Sequence, residues 1–336
     1  MATRWAVCGA GKISHDFCLA LLSSLPKTEH QIVAVAARDK KSAESFAAKF
    51  DIPKSFDSYE ELASLPDVDV VYIGTIHINH VENSLLFINA GKSVLCEKPM
   101  SLTLEGCQKV LKAAQEKGVL FVEAIWSRFF PVYKFIQEYI KSGEIGDVVM
   151  VQANFSVNII SIPRVHDPDL GGGGLLDLGI YVVQAANLVF KGKPEKIIAE
   201  CSKADSGVDK TGTVILRYPG DKFASLTYST EGAGGANSFA IRGKKGNVVI
   251  PDLFWCPNRV VLPDNSVKYF ELPKVEDGAT FNFTNSQGLA YEAQGVRDCL
   301  LKGLKESPYV SHSDIETIHY IMQEILNQFG IKYKFP

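Results

Sequence analysis

The chain has 336 residues, of which 46% are hydrophobic, and its formal net charge is −3. This length predicts two domains, each large enough to bury a core. The slightly acidic balance leaves no basic surface for nucleic acid or for an anionic membrane. No run of 18 apolar residues indicates a membrane span, and the N-terminal stretch lacks the apolar segment of a signal peptide.

The seven cysteines are scattered along the chain. No CxxC pair or Cys/His cluster has the spacing of a zinc site, so no metal is predicted. An odd number of dispersed cysteines is typical of thiols in a reducing compartment. We therefore expect a cytoplasmic protein.

The first part of the chain, residues 1–124, alternates short apolar runs with helix-like stretches. This pattern predicts an N-terminal Rossmann domain of the α/β class, with a doubly wound parallel sheet and right-handed crossovers. Its strands are almost continuously apolar, as expected where helices cover both faces of a sheet. The predicted strands are 5–8, 31–37, 69–73, 93–96 and 119–123, and the predicted helices are 13–25, 40–50, 80–90 and 104–117.

The pattern changes in residues 125–336, which we assign to a C-terminal α+β domain. Short β-rich runs are separated by turn residues, which predicts an open, mostly antiparallel sheet. The predicted strands are 148–157, 197–201, 212–218, 224–230, 238–243, 248–250, 260–262 and 268–271, and closing helices are predicted at 287–303 and 313–330.

A glycine-rich turn links the first predicted strand to the first helix. Gly9 permits a tight turn, and Gly11 lets the backbone approach a pyrophosphate at the helix N-terminus. Lys12 and Ile13 continue the motif, and Ser14 replaces the usual third glycine with another small residue. Its place between the first strand and helix makes this turn a predicted dinucleotide site.

The end of the second strand predicts which dinucleotide is bound. Ala37 and Arg38 stand where an NAD-binding protein has an acidic residue that holds the ribose 2′-hydroxyl. Arg38 would instead hold a 2′-phosphate, which favours NADP. Asp39 leaves an alternative open, because a register error of two residues would make it the ribose-binding acid.

Polar residues also follow two later strands, at the edge where ligands bind doubly wound sheets. Thr75, His77 and His80 follow the third predicted strand. We expect coenzyme contacts there, since no third ligand accompanies the two histidines to bind a metal. Glu97-Lys98-Pro99 follows the next strand, and the proline restricts the backbone of Lys98 so that its ammonium group has a fixed direction.

A second polar motif follows four glycines, Gly171 to Gly174, which we interpret as a flexible loop. In the helix predicted after them, Asp177 and Tyr181 are four residues apart and share one face. A free phenol has a pKa near 10. A lysine ammonium about 4 Å away supplies roughly 4 kcal/mol at an effective dielectric of 20, which would allow Tyr181 to act as a base assisted by Lys98.

Three ordered motifs, GAGKI at 9–13, EKP at 97–99 and GGLLDLG at 173–179, resemble those of the glucose–fructose oxidoreductase/inositol dehydrogenase family. The resemblance covers nearly the whole chain. Most of that family has a histidine two residues after the last motif glycine, where this chain has Tyr181.

The resemblance implies roles that the spacing by itself does not show. Lys98 would be the catalytic lysine, with a Lys98-Pro99 bond that is a candidate for the cis form, Tyr181 the proton-transfer residue and Asp177 a substrate-orienting residue. Tyr72, His77, His80 and Glu97 would belong to the coenzyme site. The substrate site would include Trp126, Arg128, Phe155, Trp255 and either Phe281 or Phe283.

The resemblance also implies an activity and a partner. We expect NADP-dependent oxidation of trans-dihydrodiols of aromatic hydrocarbons to catechols, and of D-xylose at C1 to the lactone. The expected partner is a second copy of the chain, bound through the open sheet of the C-terminal domain. The alternatives are another sugar or polyol dehydrogenase, a tetrapyrrole reductase on the same scaffold, and a non-catalytic NADP-binding sensor.

Overall fold

A computed structural model describes residues 1–276 and 278–334. The strands are β1 (Thr3–Cys8), β2 (His30–Ala36), β3 (Ser55–Phe56), β4 (Val70–Ile73), β5 (Ser93–Glu97), β6 (Phe121–Ala124), β7 (Val148–Ser156), β8 (Lys196–Lys203), β9 (Asp209–Tyr218), β10 (Lys222–Ser229), β11 (Phe239–Gly243), β12 (Asn247–Ile250), β13 (Arg259–Val261) and β14 (Val267–Tyr269). The helices are α1 (Lys12–Ser24), α2 (Lys40–Lys49), α3 (Tyr59–Ser64), α4 (His80–Asn89), α5 (Leu104–Lys117), α6 (Pro131–Lys141), α7 (Pro163–His166), α8 (Ile180–Phe190), α9 (Leu289–Leu301) and α10 (His312–Phe329).

The chain folds into two compact units. The first comprises 1–100, 108–129 and 272–312, and the second comprises 101–107, 130–271 and the chain from residue 313 onward. The segment 272–312, which contains α9, therefore packs with the N-terminal sheet although it follows the second sheet in sequence. The domain limits 1–124 and 125–336 stay a prediction.

The first unit contains a parallel sheet with the strand order β3-β2-β1-β4-β5-β6 among the described residues. β1 pairs with β2 on one side and with β4 on the other, so the strand order reverses beside β1. Every residue of β4 and β5 is buried, as predicted for strands covered on both faces. The reversal creates a crevice at the carboxyl ends of β1 and β4, where such sheets bind ligands.

The second unit contains a sheet in the order β14-β13-β12-β11-β7-β10-β9-β8 across residues 1–276 and 278–334. It is antiparallel except where β7 lies parallel to β10, which confirms the predicted, mostly antiparallel sheet. Alternate residues of β9 and β10, such as Leu216 and Leu226, are buried on one face, and Ile215 lies on the exposed face.

Three helices, α3, α6 and α7, were not predicted from the sequence. α6 buries Val132, Tyr133 and Ile136 on one side, yet its aromatic and β-branched residues resemble a strand run. α3 is a short helix with Ser58 as its N-cap, and the Ser58 hydroxyl accepts the N–H of Glu61. The apolar segment Pro168–Phe190 has the length and hydropathy of a membrane-crossing helix, but most of it is buried within the protein, as in a core helix.

Candidate active site

The predicted phosphate turn lies at the crevice of the first sheet. Gly9 has φ +99°, and a Cβ added there would lie 3.1 Å from both the Gly74 carbonyl oxygen and a Thr75 methyl group. α1 begins after Gly11 with no side-chain cap and no acidic residue in its first turn. Its first N–H groups therefore point to an anion site, and bare backbone lies where a pyrophosphate would approach. These residues fit a dinucleotide.

Ser14 takes the place of the third glycine of the turn. A Cβ on Gly74 would lie 2.2 Å from the Ser14 hydroxyl oxygen, so the end of β4 packs directly on the first turn of α1. A larger side chain at either position would push the two elements apart. The sequence-based expectation that Ser14 is small enough for this packing is confirmed.

The end of β2 gives Arg38 and Asp39 different surroundings. Asp39 is the N-cap of α2, where one carboxylate oxygen accepts the Ser42 N–H at 2.8 Å and the other accepts the Ser42 hydroxyl at 2.7 Å. These two bonds hold the pKa of Asp39 below its ordinary value. Arg38 is exposed at the strand end. Asp39 therefore caps α2, and the Arg38 side chain lies exposed beside it.

The strand β5 ends in Glu97, which precedes Lys98 and a cis Lys98–Pro99 peptide. Glu97 is buried, and its carboxylate accepts the Tyr72 hydroxyl at 2.7 Å and the backbone N–H of Lys98 at 3.2 Å. Burial raises the pKa of Glu97. Tyr72 is itself buried, with its ring stacked on Phe17 at 3.8 Å. Tyr72 thus lies behind Glu97 and fixes the orientation of its carboxyl group.

His80 connects the ends of two strands. It is fully buried, with Nδ1 2.8 Å from the Pro99 carbonyl oxygen and Nε2 3.0 Å from the Thr75 carbonyl oxygen. Burial lowers the pKa of His80. A neutral imidazole has one N–H group, so it donates a hydrogen bond to only one of these two carbonyl oxygens. The His77 ring lies 6.0 Å away from that of His80. Among residues 1–276 and 278–334, no three His, Cys, Asp or Glu side chains are grouped to hold a metal ion.

The second unit positions Asp177 and Tyr181. The residues Leu175–Gly179 form a π turn, in which the Ile180 N–H reaches the Leu175 carbonyl oxygen, and α8 follows directly. The sequence predicted an ordinary helix here, so Asp177 lies in a wider turn than expected. Single π turns inside helices occur frequently at functional sites.

Asp177 is paired with an arginine. Its carboxylate accepts from Arg164, with 3.0 Å between Nη1 and Oδ1, and only 8% of its side chain is exposed. The Arg164 side chain is 36% exposed. This pairing was not predicted from the sequence, which left Arg164 as either a lid residue or a plain loop residue before the four glycines.

Tyr181 lies among aromatic rings. The Phe155 ring meets the Tyr181 ring edge-on at 5.5 Å and stacks on Trp255 at 4.3 Å. Tyr181 is 7% exposed, and Phe155 is 4% exposed. Within the second unit, the structure therefore places an acid and a phenol on successive turns of one helix, with a stacked aromatic wall against the phenol.

The remaining predicted substrate residues belong to the first unit. Trp126 and Arg128 are buried in the short turn 126–129 after β6. Phe281 is half-buried, and Phe283 is exposed. Their loop is attached to α1 because the buried Asp16 carboxylate accepts backbone N–H groups from Asn282 at 2.9 Å and from Phe283 at 3.0 Å. No pattern in the sequence indicated this role for Asp16.

Comparison with known proteins identifies the family. Residues 3–124 match the model of an oxidoreductase family with an NAD-binding Rossmann fold, and residues 133–249 match the GFO/IDH/MocA C-terminal domain. The chain belongs to the GFO/IDH/MocA oxidoreductase family. The family resemblance and fold class expected from the sequence motifs are confirmed, and the protein is an enzyme of the oxidoreductase class.

Relatives of this GFO/IDH/MocA chain match along its whole length. It is 46% identical to trans-1,2-dihydrobenzene-1,2-diol dehydrogenase of Xenopus laevis over 334 residues, covering 99% of this chain and 100% of the relative. The protein of the same name from Homo sapiens is 42% identical over 334 residues, covering 99% and 98%.

Two solved structures share the fold. A levoglucosan dehydrogenase in complex with NADH and levoglucosan is 19% identical, with a TM-score of 0.84 over 98% of each chain. A 3-ketoreductase from Actinomadura kijaniata in complex with NADP and TDP-benzene is 23% identical, with a TM-score of 0.81 over 97% of this chain and 98% of the other. Together with the Rossmann family match, they support a nicotinamide coenzyme, which is NADH in one neighbour and NADP in the other.

Proposed function

We propose that the protein oxidises trans-dihydrodiols of aromatic hydrocarbons to catechols, and D-xylose at C1 to its lactone, with NADP as the electron acceptor. The observation that carries the proposal is the cluster of Asp177, Tyr181, Phe155 and Trp255 in a chain 46% identical to a dihydrobenzenediol dehydrogenase. Aromatic faces suit a flat or weakly polar ring, and the acid and phenol suit its hydroxyl groups.

In the proposed reaction, the substrate carbon loses a hydride and its hydroxyl oxygen loses a proton. A nicotinamide coenzyme held by the turn at Gly9 and Gly11 and by Arg38 would supply the hydride acceptor. Tyr181 takes the proton, assisted by the positive charge of Lys98, which favours the phenolate form. The carbonyl product formed from a dihydrodiol tautomerises to the catechol, and the product formed from the sugar hemiacetal is the lactone.

Asp177 has an orienting role in this proposal. Arg164 holds one carboxylate oxygen at 3.0 Å, and a carboxylate accepts several hydrogen bonds, so Asp177 can also accept one from a substrate hydroxyl. A substrate hydroxyl held in this way would present its neighbouring carbon in a fixed direction, which is the main contribution of positioning groups to rate.

The coenzyme preference is proposed on the residues after β2. Asp39 is engaged by Ser42, and the exposed Arg38 carries the charge that a 2′-phosphate would need. A bidentate arginine contact with a phosphate is a strong, charge-assisted interaction. NADP is therefore the proposed coenzyme.

The experiment is a comparison of initial rates of NADP⁺ reduction with D-xylose and with trans-benzene dihydrodiol. Wild-type protein should turn over both substrates. Tyr181→Phe should lower kcat by about 10²- to 10⁴-fold while its affinity for NADPH stays within twofold of the wild type. Normal turnover in Tyr181→Phe would refute the role of the phenol, and NADPH binding without turnover in the wild type would favour a sensor.

A homodimer through the sheet of the second unit is also proposed. Ile198 pairs across strands with Ile215, and both side chains are exposed, as is Met150 on β7. Burying such a row is favourable by roughly 25 cal/mol per Å². Ile215→Asp should convert a dimer into monomers in analytical ultracentrifugation, whereas Leu301→Asp, an exposed leucine of α9, should not. A wild-type monomer would contradict the proposal.

A further inference from the structure

The buried carboxyl group of Asp209 lies at the N-terminus of the segment that carries Asp177 and Tyr181. Asp209 begins β9 and is 0% exposed. Its Oδ2 accepts the Leu175 N–H at 2.6 Å and the Tyr228 hydroxyl at 2.7 Å. Leu175 is the first residue of the π turn, and its carbonyl oxygen accepts the N–H of Ile180. Leu175 therefore bonds to Asp209 through its N–H and closes the wider turn through its carbonyl oxygen.

The ring of Tyr228 packs along the same turn. A Cβ added to Gly174 would lie 2.9 Å from this ring, and one added to Gly179 would lie 3.3 Å from it. Gly212, opposite Tyr228 on β9, would place a Cβ 2.4 Å from the phenol oxygen. Glycines at both ends of the π turn and on the neighbouring strand thus make room for one buried tyrosine, whose hydroxyl bonds to Asp209.

The glycine run before the turn is also closely packed. Gly173 has φ +135°, and a Cβ there would lie 2.7 Å from Asp209 Oδ1 and from the Tyr333 hydroxyl oxygen. The Tyr333 hydroxyl donates to the Gly172 carbonyl oxygen. The sequence suggested a flexible loop at these glycines, whereas the structure shows close approach to a carboxyl group and a phenol. Chain segments from β9, β10 and the C-terminal end therefore converge on the entry to the π turn.

We propose that Asp209, with Tyr228, is a positioning residue for the reaction: it anchors the Leu175 N–H and so sets the register in which Asp177 and Tyr181 face the substrate. This inference rests on the proposed function of Tyr181 and Asp177. Asp209 is buried behind the turn and acts through the backbone, without touching the substrate. A carboxyl group at a helix N-terminus also interacts favourably with the helix dipole.

The expected effect follows from the geometry. Without the Asp209 carboxyl group, the Leu175 N–H loses its partner, and the turn can shift toward an ordinary helical register. A displacement of about 1 Å in a positioned group can cost about 10²-fold in rate. Coenzyme binding should not change, since the glycine-rich turn, Arg38 and the end of β5 all belong to the first unit.

The experiment compares Asp209→Ala, Asp209→Asn and Tyr228→Phe with Asp221→Asn, an exposed position in the β9–β10 turn. Asp209→Ala should lower kcat about 100-fold, measured well below its melting temperature, with NADPH affinity within twofold of the wild type. Asp209→Asn keeps an oxygen acceptor and should recover most of this loss. The kcat of Tyr228→Phe should lie between those of the two Asp209 variants, and the kcat of Asp221→Asn should match that of the wild type.

Two further measurements separate positioning from general destabilisation. In a Tyr181→Phe background, Asp209→Ala should cause almost no additional loss, because residues that act as a unit are not additive. Amide hydrogen exchange over residues 174–183 should accelerate in Asp209→Ala and stay slow in Asp221→Asn. The exchange measurement needs no substrate, so it tests the anchor even if the proposed function fails.

Unchanged exchange over 174–183 in Asp209→Ala would overturn the inference. So would full additivity with Tyr181→Phe, or a lower melting temperature with normal kcat. Faster exchange in Asp209→Ala together with normal turnover in Tyr181→Phe would instead overturn the proposed function and leave the anchor in place.

Discussion

Arg38 and Asp39 are adjacent at the end of β2, and their removal should affect different properties. Loss of the Arg38 side chain should weaken NADP binding, and loss of the Asp39 side chain should lower stability. Arg38→Ala removes an exposed cation that has no capping role in α2. A hydrogen bond to a charged group contributes about 1.5–3 kcal/mol, which corresponds to about 10- to 100-fold in affinity. The dissociation constant for NADP should rise by that factor, while that for NAD should change less than threefold, since NAD has no 2′-phosphate.

Asp39→Ala removes the N-cap of α2, because both carboxylate oxygens bond to Ser42 at 2.8 and 2.7 Å. Loss of such a cap costs about 1 kcal/mol of stability, within a range of about 0.5–2. The variant should therefore unfold at lower urea concentration and retain the wild-type ratio of NADP to NAD affinity. Asp39→Ser provides a matched control, since serine is also a favourable N-cap.

The assay is fluorescence titration with NADPH and NADH at fixed ionic strength, combined with urea unfolding of each variant. Equal loss of both coenzymes in Arg38→Ala would refute the 2′-phosphate role. Weaker NADH binding in Asp39→Ala at a concentration where it is fully folded would show that Asp39 is the ribose-binding acid instead.

Two further predictions concern single ionisable side chains, Arg164 in the second unit and Glu292 in the first. Arg164→Ala should lower kcat/KM about 10- to 100-fold, because the charged hydrogen bond that orients Asp177 contributes about 1.5–3 kcal/mol. Arg164→Lys should have an intermediate kcat/KM. Wild-type kinetics in both variants would contradict the orienting role of Arg164. Glu292 is fully buried, and neither of its carboxyl oxygens has a hydrogen-bond partner among residues 1–276 and 278–334. Burial, and to a smaller extent the charge of Glu97, raise the pKa of Glu292 well above its ordinary value. In the folded state Glu292 therefore keeps its proton at pH values where the unfolded chain has lost it, so the stability of the protein should fall as pH rises above about 4.3. The melting temperature of Glu292→Gln should decline less steeply with pH than that of the wild type. Identical slopes for the two proteins would exclude this carboxyl group as the cause.

The sequence determined the parts of the protein that are encoded over a few neighbouring residues. The alternation of strands and helices, the turn at Gly9 and Gly11, and the polar residues after β5 could all be read because each depends on local periodicity or on backbone freedom. The N-cap role of Asp39 is also local, and the serine three residues later was a readable sign of it.

The structure decided the contacts between residues that are distant in sequence. Phe155 and Trp255 are 100 positions apart and stack, and Asp209 reaches Leu175 across 34 positions. Hydrophobic periodicity carries no information on which distant side chain meets a given backbone N–H. The π turn was also invisible, because Asp177 and Tyr181 have the same spacing in sequence whether the Ile180 N–H bonds four or five residues back. The sequence thus specified the chemical groups of the site, and tertiary packing around Tyr228 and Asp209 set their orientation.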